Sequence, residues 1–122
     1  MKPSFLFLKE EGKRIYLTGS LRNPHIPSIA HALRASGYDV FDDWYAAGPD
    51  ADDCWRAYEI ERGRSYLEGL RGKAAEHVFD FDYKNVLLSD AVVLVAPGGR
   101  SSDLVLGYFL GQGKPGHILI EP

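Results

Sequence analysis

The chain has 122 residues, 45% of them hydrophobic, and a formal net charge of −3; it is long enough for one core and too short for two domains. Its 14 lysines and arginines are scattered among 17 aspartates and glutamates, which argues against a polymeric nucleic acid partner and leaves a small phosphorylated ligand open. A single cysteine, Cys54, excludes an internal disulfide, and its neighbours Asp52, Asp53 and Trp55 offer no cation to activate a thiolate, so it reads as a packing residue.

The apolar run inside Met1 to Leu8 is too short to span a membrane and carries no small-residue cleavage site, so a cytoplasmic protein without a membrane partner is expected. Arg14-Ile15-Tyr16-Leu17-Thr18 reads as a strand ending in Gly19-Ser20. From Ile26 to Ser36 the pattern is helical: Pro27 suits a first turn, Ile29, Ala30 and Leu33 recur at helical spacing, and Gly37 terminates it. The short strand Tyr38-Asp39-Val40-Phe41 completes a β-α-β unit. A helix over about Asp52 to Glu76 carries Trp55, Tyr58, Arg62, Tyr66 and Leu70 near one face, with Gly63, Gly69 and Gly72 as points where it can divide. Ala91-Val92-Val93-Leu94-Val95-Ala96 is a continuous apolar run, as expected of a central strand covered on both faces. Another helix should follow the Gly98 loop, and His117-Ile118-Leu119-Ile120 is a final strand.

Strands alternating with helices predict a single α/β domain of flavodoxin-like or Rossmann-like type. Its sheet is mostly parallel, with helices on both faces and a ligand crevice at the carboxyl ends of the strands. Two loops fall there. Gly19-Ser20-Leu21-Arg22-Asn23-Pro24 combines close backbone approach with a hydroxyl and a guanidinium suited to phosphate. Gly98-Gly99-Arg100-Ser101-Ser102 presents free amides at a helix start. Each loop taken singly also reads as a tight turn, with Ser101 or Ser102 as an N-cap. Neither is a P-loop or a dinucleotide fingerprint.

Other candidates are less specific. Asp42 and Asp43 follow a strand end and can reach the crevice, or they are solvated loop acids. Trp44, Tyr45, Trp55, Tyr58 and Tyr66 concentrate aromatic surface that can stack on a base, cover the site, pack the core or meet a second subunit. His25, His31, His77 and His117 lack the spacing of a metal set, so no metal is expected. No Gly-x-Ser-x-Gly elbow supports a serine hydrolase, and the first loop is a poor match to the Ser/Thr-rich phosphate loop of a flavodoxin-type electron carrier.

Several motifs in order carry a family resemblance. Ile15-Tyr16-Leu17-Thr18-Gly19-Ser20-Leu21-Arg22 is followed by Asp82, then by Asp90-Ala91-Val92-Val93-Leu94-Val95, then by Gly99-Arg100-Ser101-Ser102, Leu106-Gly107-Tyr108 and Gly113-Lys114-Pro115. Together they resemble the nucleoside 2-deoxyribosyltransferase-like family over nearly the whole chain. The Gly-Ser-Leu-Arg loop is more similar to its nucleoside 5′-monophosphate hydrolase branch. The resemblance implies cleavage or transfer at the N-glycosidic bond without a cofactor, a nucleoside or nucleoside 5′-monophosphate as ligand, and a homodimer or higher homo-oligomer. It further implies Tyr16 under the sugar, Gly19, Ser20 and Arg22 at the 5′ end, and Asp82 orienting base or sugar. Gly99, Ser101 and Ser102 would contact phosphate, with Asp90 a further substrate-side residue. The family's glutamate nucleophile, in a Glu-x-Gly-Tyr pattern, falls on Val105.

Valine can neither attack an anomeric carbon nor share a proton. Asp103, two residues away, lies roughly 200° around a helix and reads as a cap or first-turn charge. Asp82 is then the candidate to polarise water for slower, direct hydrolysis. The other class of function left open is a nucleotide-binding protein that senses or sequesters its ligand without turning it over.

Overall fold

Ala91–Val95 (β3) is buried along its whole length, because an alternation-free apolar strand is stable only when both of its faces are covered. In the computed structural model, which describes residues 13–120, β3 lies beside Arg14–Thr18 (β1), with Ile15 opposite Ala91 and Thr18 opposite Leu94. Asp39–Phe41 (β2) pairs with the other side of β1, and Gly116–Leu119 (β4) with the other side of β3. All three pairings are parallel, and the order is β2-β1-β3-β4. The domain is a small α/β fold of flavodoxin-like or Rossmann-like type.

The parallel pairings need crossovers, and these go to opposite faces. Ile26–Ala35 (α1) connects β1 to β2 and buries Ile26, Ala30 and Leu33 against Ile15, Leu17, Val40, Val93 and Val95. Arg100–Gly111 (α5) connects β3 to β4 and sets Phe109, Leu106 and Val105 against Tyr16, Phe41 and Val92 on the other face. The same face receives Val86 from Lys73–Leu88 (α4). Adjacent residues of β1 thus serve different cores, as period-two alternation requires. Gly37 ends α1 at φ +98°, a left-handed geometry that a residue with a Cβ adopts only under strain.

The long helix expected from about Asp52 to Glu76 is three helices. Ala51–Glu61 (α2) ends before Gly63, whose φ is +79°, then come Tyr66–Leu70 (α3) and the start of α4. Ser65 caps α3 by accepting from the Glu68 amide, while the Glu68 carboxylate accepts from the Ser65 amide; this capping box starts a helix afresh. Trp55 and Tyr66 therefore meet across a turn, ring centroids 5.7 Å apart, rather than along one helical face. Cys54 is exposed on α2 and is not the packing residue expected, because the buried side chain of α2 is Glu59, held by Arg62 at 2.9 Å and Arg64 at 3.6 Å. The reading of Met1 to Leu8 lies outside the described residues. No helix among those described is long and apolar enough to cross a membrane.

Among the described residues α1 supplies the buried helical side chains of one face of the sheet, so its central contact should be costly to lose. Leu33→Ala removes a fully buried side chain and should lower the unfolding free energy by about 2–5 kcal/mol, read as a lower urea midpoint with an unchanged denaturant slope.

Candidate functional site

Strand order reverses direction between β1 and β3, and the loops leaving their carboxyl ends diverge to opposite faces. A cleft of about 290 Å³ opens there, lined by Ser20, Arg22, Asn23, Pro24, His25, Ala96 and Pro97; it is the crevice that this topology leaves for a ligand. Its volume lies at the small end of ligand sites, about 300–1,000 Å³. The β1 loop is held by short-range hydrogen bonds: Ser20 Oγ accepts from the Arg22 amide at 3.1 Å, and Asn23 Oδ1 accepts from the His25 amide at 2.9 Å. Gly19 lies close to its neighbours: a Cβ there would stand 3.0 Å from Ile26 Cδ1 and 3.3 Å from the Val95 carbonyl oxygen, so a side chain would push these buried groups aside by a few tenths of an ångström.

Of the residues expected to meet phosphate, Ser20 and Arg22 line this cleft. The exposed Arg22 guanidinium reaches Asp53 of α2 at 3.3 Å, a contact of little stabilising value at a surface. Ser102 is buried, and its hydroxyl donates to the Gly19 carbonyl at 3.2 Å while accepting from the Gly99 amide at 3.5 Å. It thereby joins the two loops, an engagement with backbone rather than with an anion. Ser101 and Gly99 are exposed at the start of α5.

A second group lies on the α4–α5 face of the sheet. Tyr16 is buried between Phe41 and Phe109, with ring centroids at 5.0 and 5.9 Å. Burial pushes the Tyr16 hydroxyl well above the ordinary phenol range, and the nearby Asp82 carboxylate adds to this because its charge opposes a second negative charge. Asp82, half-buried on α4, has its own pKa raised by the same loss of water. Val105 packs against this cluster. Tyr16, Asp82 and Val105, separated by up to 89 positions in the chain, thus share one side of the sheet. Val105 is the sixth residue of α5, one turn deeper than the first turn expected from sequence, so the dipole of the helix start acts on it only weakly. Asp103 is exposed, as its angular offset requires.

Three other expected site residues have structural partners. Asp42 accepts two hydrogen bonds from Arg34, at 2.6 and 3.4 Å. Trp44 Nε1 donates to the Leu17 carbonyl at 2.7 Å, filling the position that β2 vacates by ending at Phe41; its ring packs against both cores and joins the two groups. Tyr45 donates to the Asn23 carbonyl at 2.8 Å and seats the turn Asp43–Ala47 on the first loop. Asp90 corrects the expectation of a substrate-side role. It precedes β3 and accepts from the Arg14 amide at 2.9 Å, which puts it at the amino end of the strands, about 16 Å of extended chain from the crevice.

Sequence reasoning missed His25, Ala96 and Pro97 as lining residues, although their place just after two strand ends was a usable signal. It also missed Phe81, whose ring lies 5.5 Å from Phe41 beside Asp82, because no helix was assigned to that segment. Among the described residues no group of three His, Cys, Asp or Glu side chains could hold a metal ion. Comparison with protein-family models, with curated proteins and with solved structures found no match to this chain.

The raised pKa of Asp82 has a consequence for stability. A carboxyl whose folded pKa exceeds its unfolded value stabilises the fold fully below the unfolded value and opposes it once pH rises through the folded value. Asp82→Asn should therefore raise the melting temperature at pH 7, and the gain should shrink towards zero as pH falls below the ordinary carboxylate range, in a pH series of thermal scans on both proteins. Ser102→Ala leaves the Gly19 carbonyl and Gly99 amide without this partner and should cost about 1–2 kcal/mol, measured by urea unfolding.

Proposed function

We propose that this protein binds a nucleoside 5′-monophosphate and acts, slowly, on its N-glycosidic bond. The phosphate would sit in the crevice on Ser20, Arg22 and the amides that begin α5. The sugar and base would extend past Trp44 towards Tyr16 and Asp82. The observation that carries the reading is the juxtaposition of Asp82 with Tyr16 on the sheet face next to the crevice, both titrating above their ordinary ranges. A carboxyl shifted upward by lost hydration is better placed than a solvated one to exchange a proton near neutral pH. The ordered motifs that resemble the nucleoside 2-deoxyribosyltransferase-like family point to the same chemistry.

The mechanism follows from what the cluster holds. With Val105 at the position that the resemblance gives to a glutamate nucleophile, no covalent glycosyl ester forms there. Asp82 would instead assist water attack on an oxocarbenium-like centre, and Tyr16 would pack beneath the sugar. Covalent catalysis by a second, closely spaced carboxylate is faster than this arrangement. A second reading, a nucleotide sensor without turnover, is favoured by the packing of Val105 among apolar side chains.

Free-base release from deoxynucleosides and their 5′-monophosphates, measured beside calorimetric binding of the same compounds, tests both. Monophosphate binding with slow release that disappears in Asp82→Asn supports the enzyme; binding with no release supports the sensor; absence of binding overturns both. Arg22→Gln should weaken the monophosphate about tenfold or more, the worth of a charge-assisted hydrogen bond, and leave the parent nucleoside unchanged. Val105→Glu should raise base release at some loss of thermal stability, since it adds a carboxylate to an apolar cluster.

A further inference from the structure

Among the described residues that line the crevice, Arg22 is the only lysine or arginine, and its guanidinium is already paired. Its Nη2 donates to Asp53 Oδ2 of α2 at 3.3 Å. The way α2 is seated brings that carboxylate to the crevice. Trp55 and Glu59, one turn apart, form the side of α2 that meets α3: a Cβ on Gly69 of α3 would stand 3.1 Å from each of them. Asp53 lies roughly 200° around the helix from Trp55, so the packing of α2 on α3 turns it the other way, towards the β1 loop. Both partners stay largely in water, with side-chain exposures of 72% for Arg22 and 61% for Asp53.

We infer that Asp53 is a specificity-determining residue of the crevice: it competes with a ligand's phosphate for the Arg22 guanidinium, and so sets how strongly the site prefers a 5′-monophosphate to the free nucleoside. This rests on the monophosphate reading proposed above. The exchange is open to the protein because neither side depends on the ion pair. An exposed pair contributes little to stability, and Asp53 stands in the first turn of α2, where the helix dipole favours its charge with or without Arg22. The competition is direct, because a phosphate oxygen bonded to the same guanidinium comes within about 6 Å of the carboxylate, two hydrogen-bond lengths away. At that separation in water, repulsion costs about threefold in affinity for each unit of ligand charge, and salt reduces it. A phosphate monoester carries about two charges at neutral pH, so the cost is about tenfold before screening. A free nucleoside carries none and is indifferent to Asp53. The carboxylate thus restrains a site that Arg22 would otherwise make strongly anion-selective.

Calorimetric titration of the full chain with the four deoxynucleosides and their 5′-monophosphates, at low and at physiological ionic strength, tests the inference. The variants are Asp53→Asn, Arg22→Gln, the two combined, and Asp52→Asn, which removes the same charge from the same helical turn about 100° away. Asp52 and Asp53 are both exposed, so circular dichroism and thermal unfolding of their variants should match the parent closely. Asp53→Asn should tighten the monophosphate about three- to tenfold at low salt and less at physiological salt, and leave the nucleoside unchanged. With Arg22→Gln already present the gain should shrink to under about twofold, since the guanidinium that both anions share is gone. Asp52→Asn should change affinity by less than about twofold, its charge being screened and without that contact. Unchanged or weaker monophosphate binding by Asp53→Asn overturns the inference and leaves the monophosphate reading standing. So does an equal gain from Asp52→Asn, the mark of a net-charge effect, or a gain that persists in full beside Arg22→Gln. If neither the parent nor Asp53→Asn binds any monophosphate, the reading and the inference fall together.

Discussion

The parallel pairing of β1 with β3 is the constraint on which the other features rest. Ile15, Leu17, Val93 and Val95 face one core, while Tyr16 and Val92 face the other, so two apolar strands in register commit the molecule to coverage on both sides. α1 and α5 then leave the same pair of strands for opposite faces, and their first turns cannot close over the strand ends. The crevice is the space left by that divergence. Its floor is tight because Gly19 lies against Val95 and Ile26, and its two sides are held together by Ser102 reaching across to the Gly19 carbonyl.

The two candidate regions differ in how they treat charge. In the crevice the polar groups are exposed or loop-bound, and Arg22 can exchange a surface partner for a ligand at small cost. On the α4–α5 face, Tyr16 is buried between Phe41 and Phe109 and Asp82 is half-buried, and burial makes each harder to ionise. A carboxyl in such surroundings keeps its proton to a higher pH than a solvated loop acid does. Val105 belongs to the apolar part of this environment, so its place in α5 serves packing directly.

The helices outside the central sheet show the same division. α2 and α3 form an excursion whose internal order comes from Glu59 with its arginines and from the Ser65 capping box. Their apolar side chains, including Ile60 and Leu67, remain at the surface. On α4 and α5 the exposed aromatics touch one another across the helix boundary.

Strand and helix identities near the sheet were legible because their signals are local: the unbroken apolar run of β3, Pro27 and Gly37 at the ends of α1, and glycines before and after α5. The division of the 52–76 segment was legible only as a possibility, since a glycine can lie inside a helix or end it, and here Gly63 takes a positive φ and Ser65 starts a new helix. Asp42, Trp44 and Ser102 were recognised as special, but their partners, Arg34, the Leu17 carbonyl and the Gly19 carbonyl, lie up to 83 positions away. Asp90 was misread because proximity to β3 in sequence does not say which end of the strand faces the ligand. By itself the sequence determined the alternating α/β pattern and two polar loops at strand ends, because hydrophobic period and turn chemistry act over a few residues. Only the tertiary structure decided that Tyr16, Asp82 and Val105 share one face and that hydroxyls and carboxylates such as those of Ser102 and Asp42 are held by the fold, because burial and hydrogen-bond partnership are set by chain segments far apart.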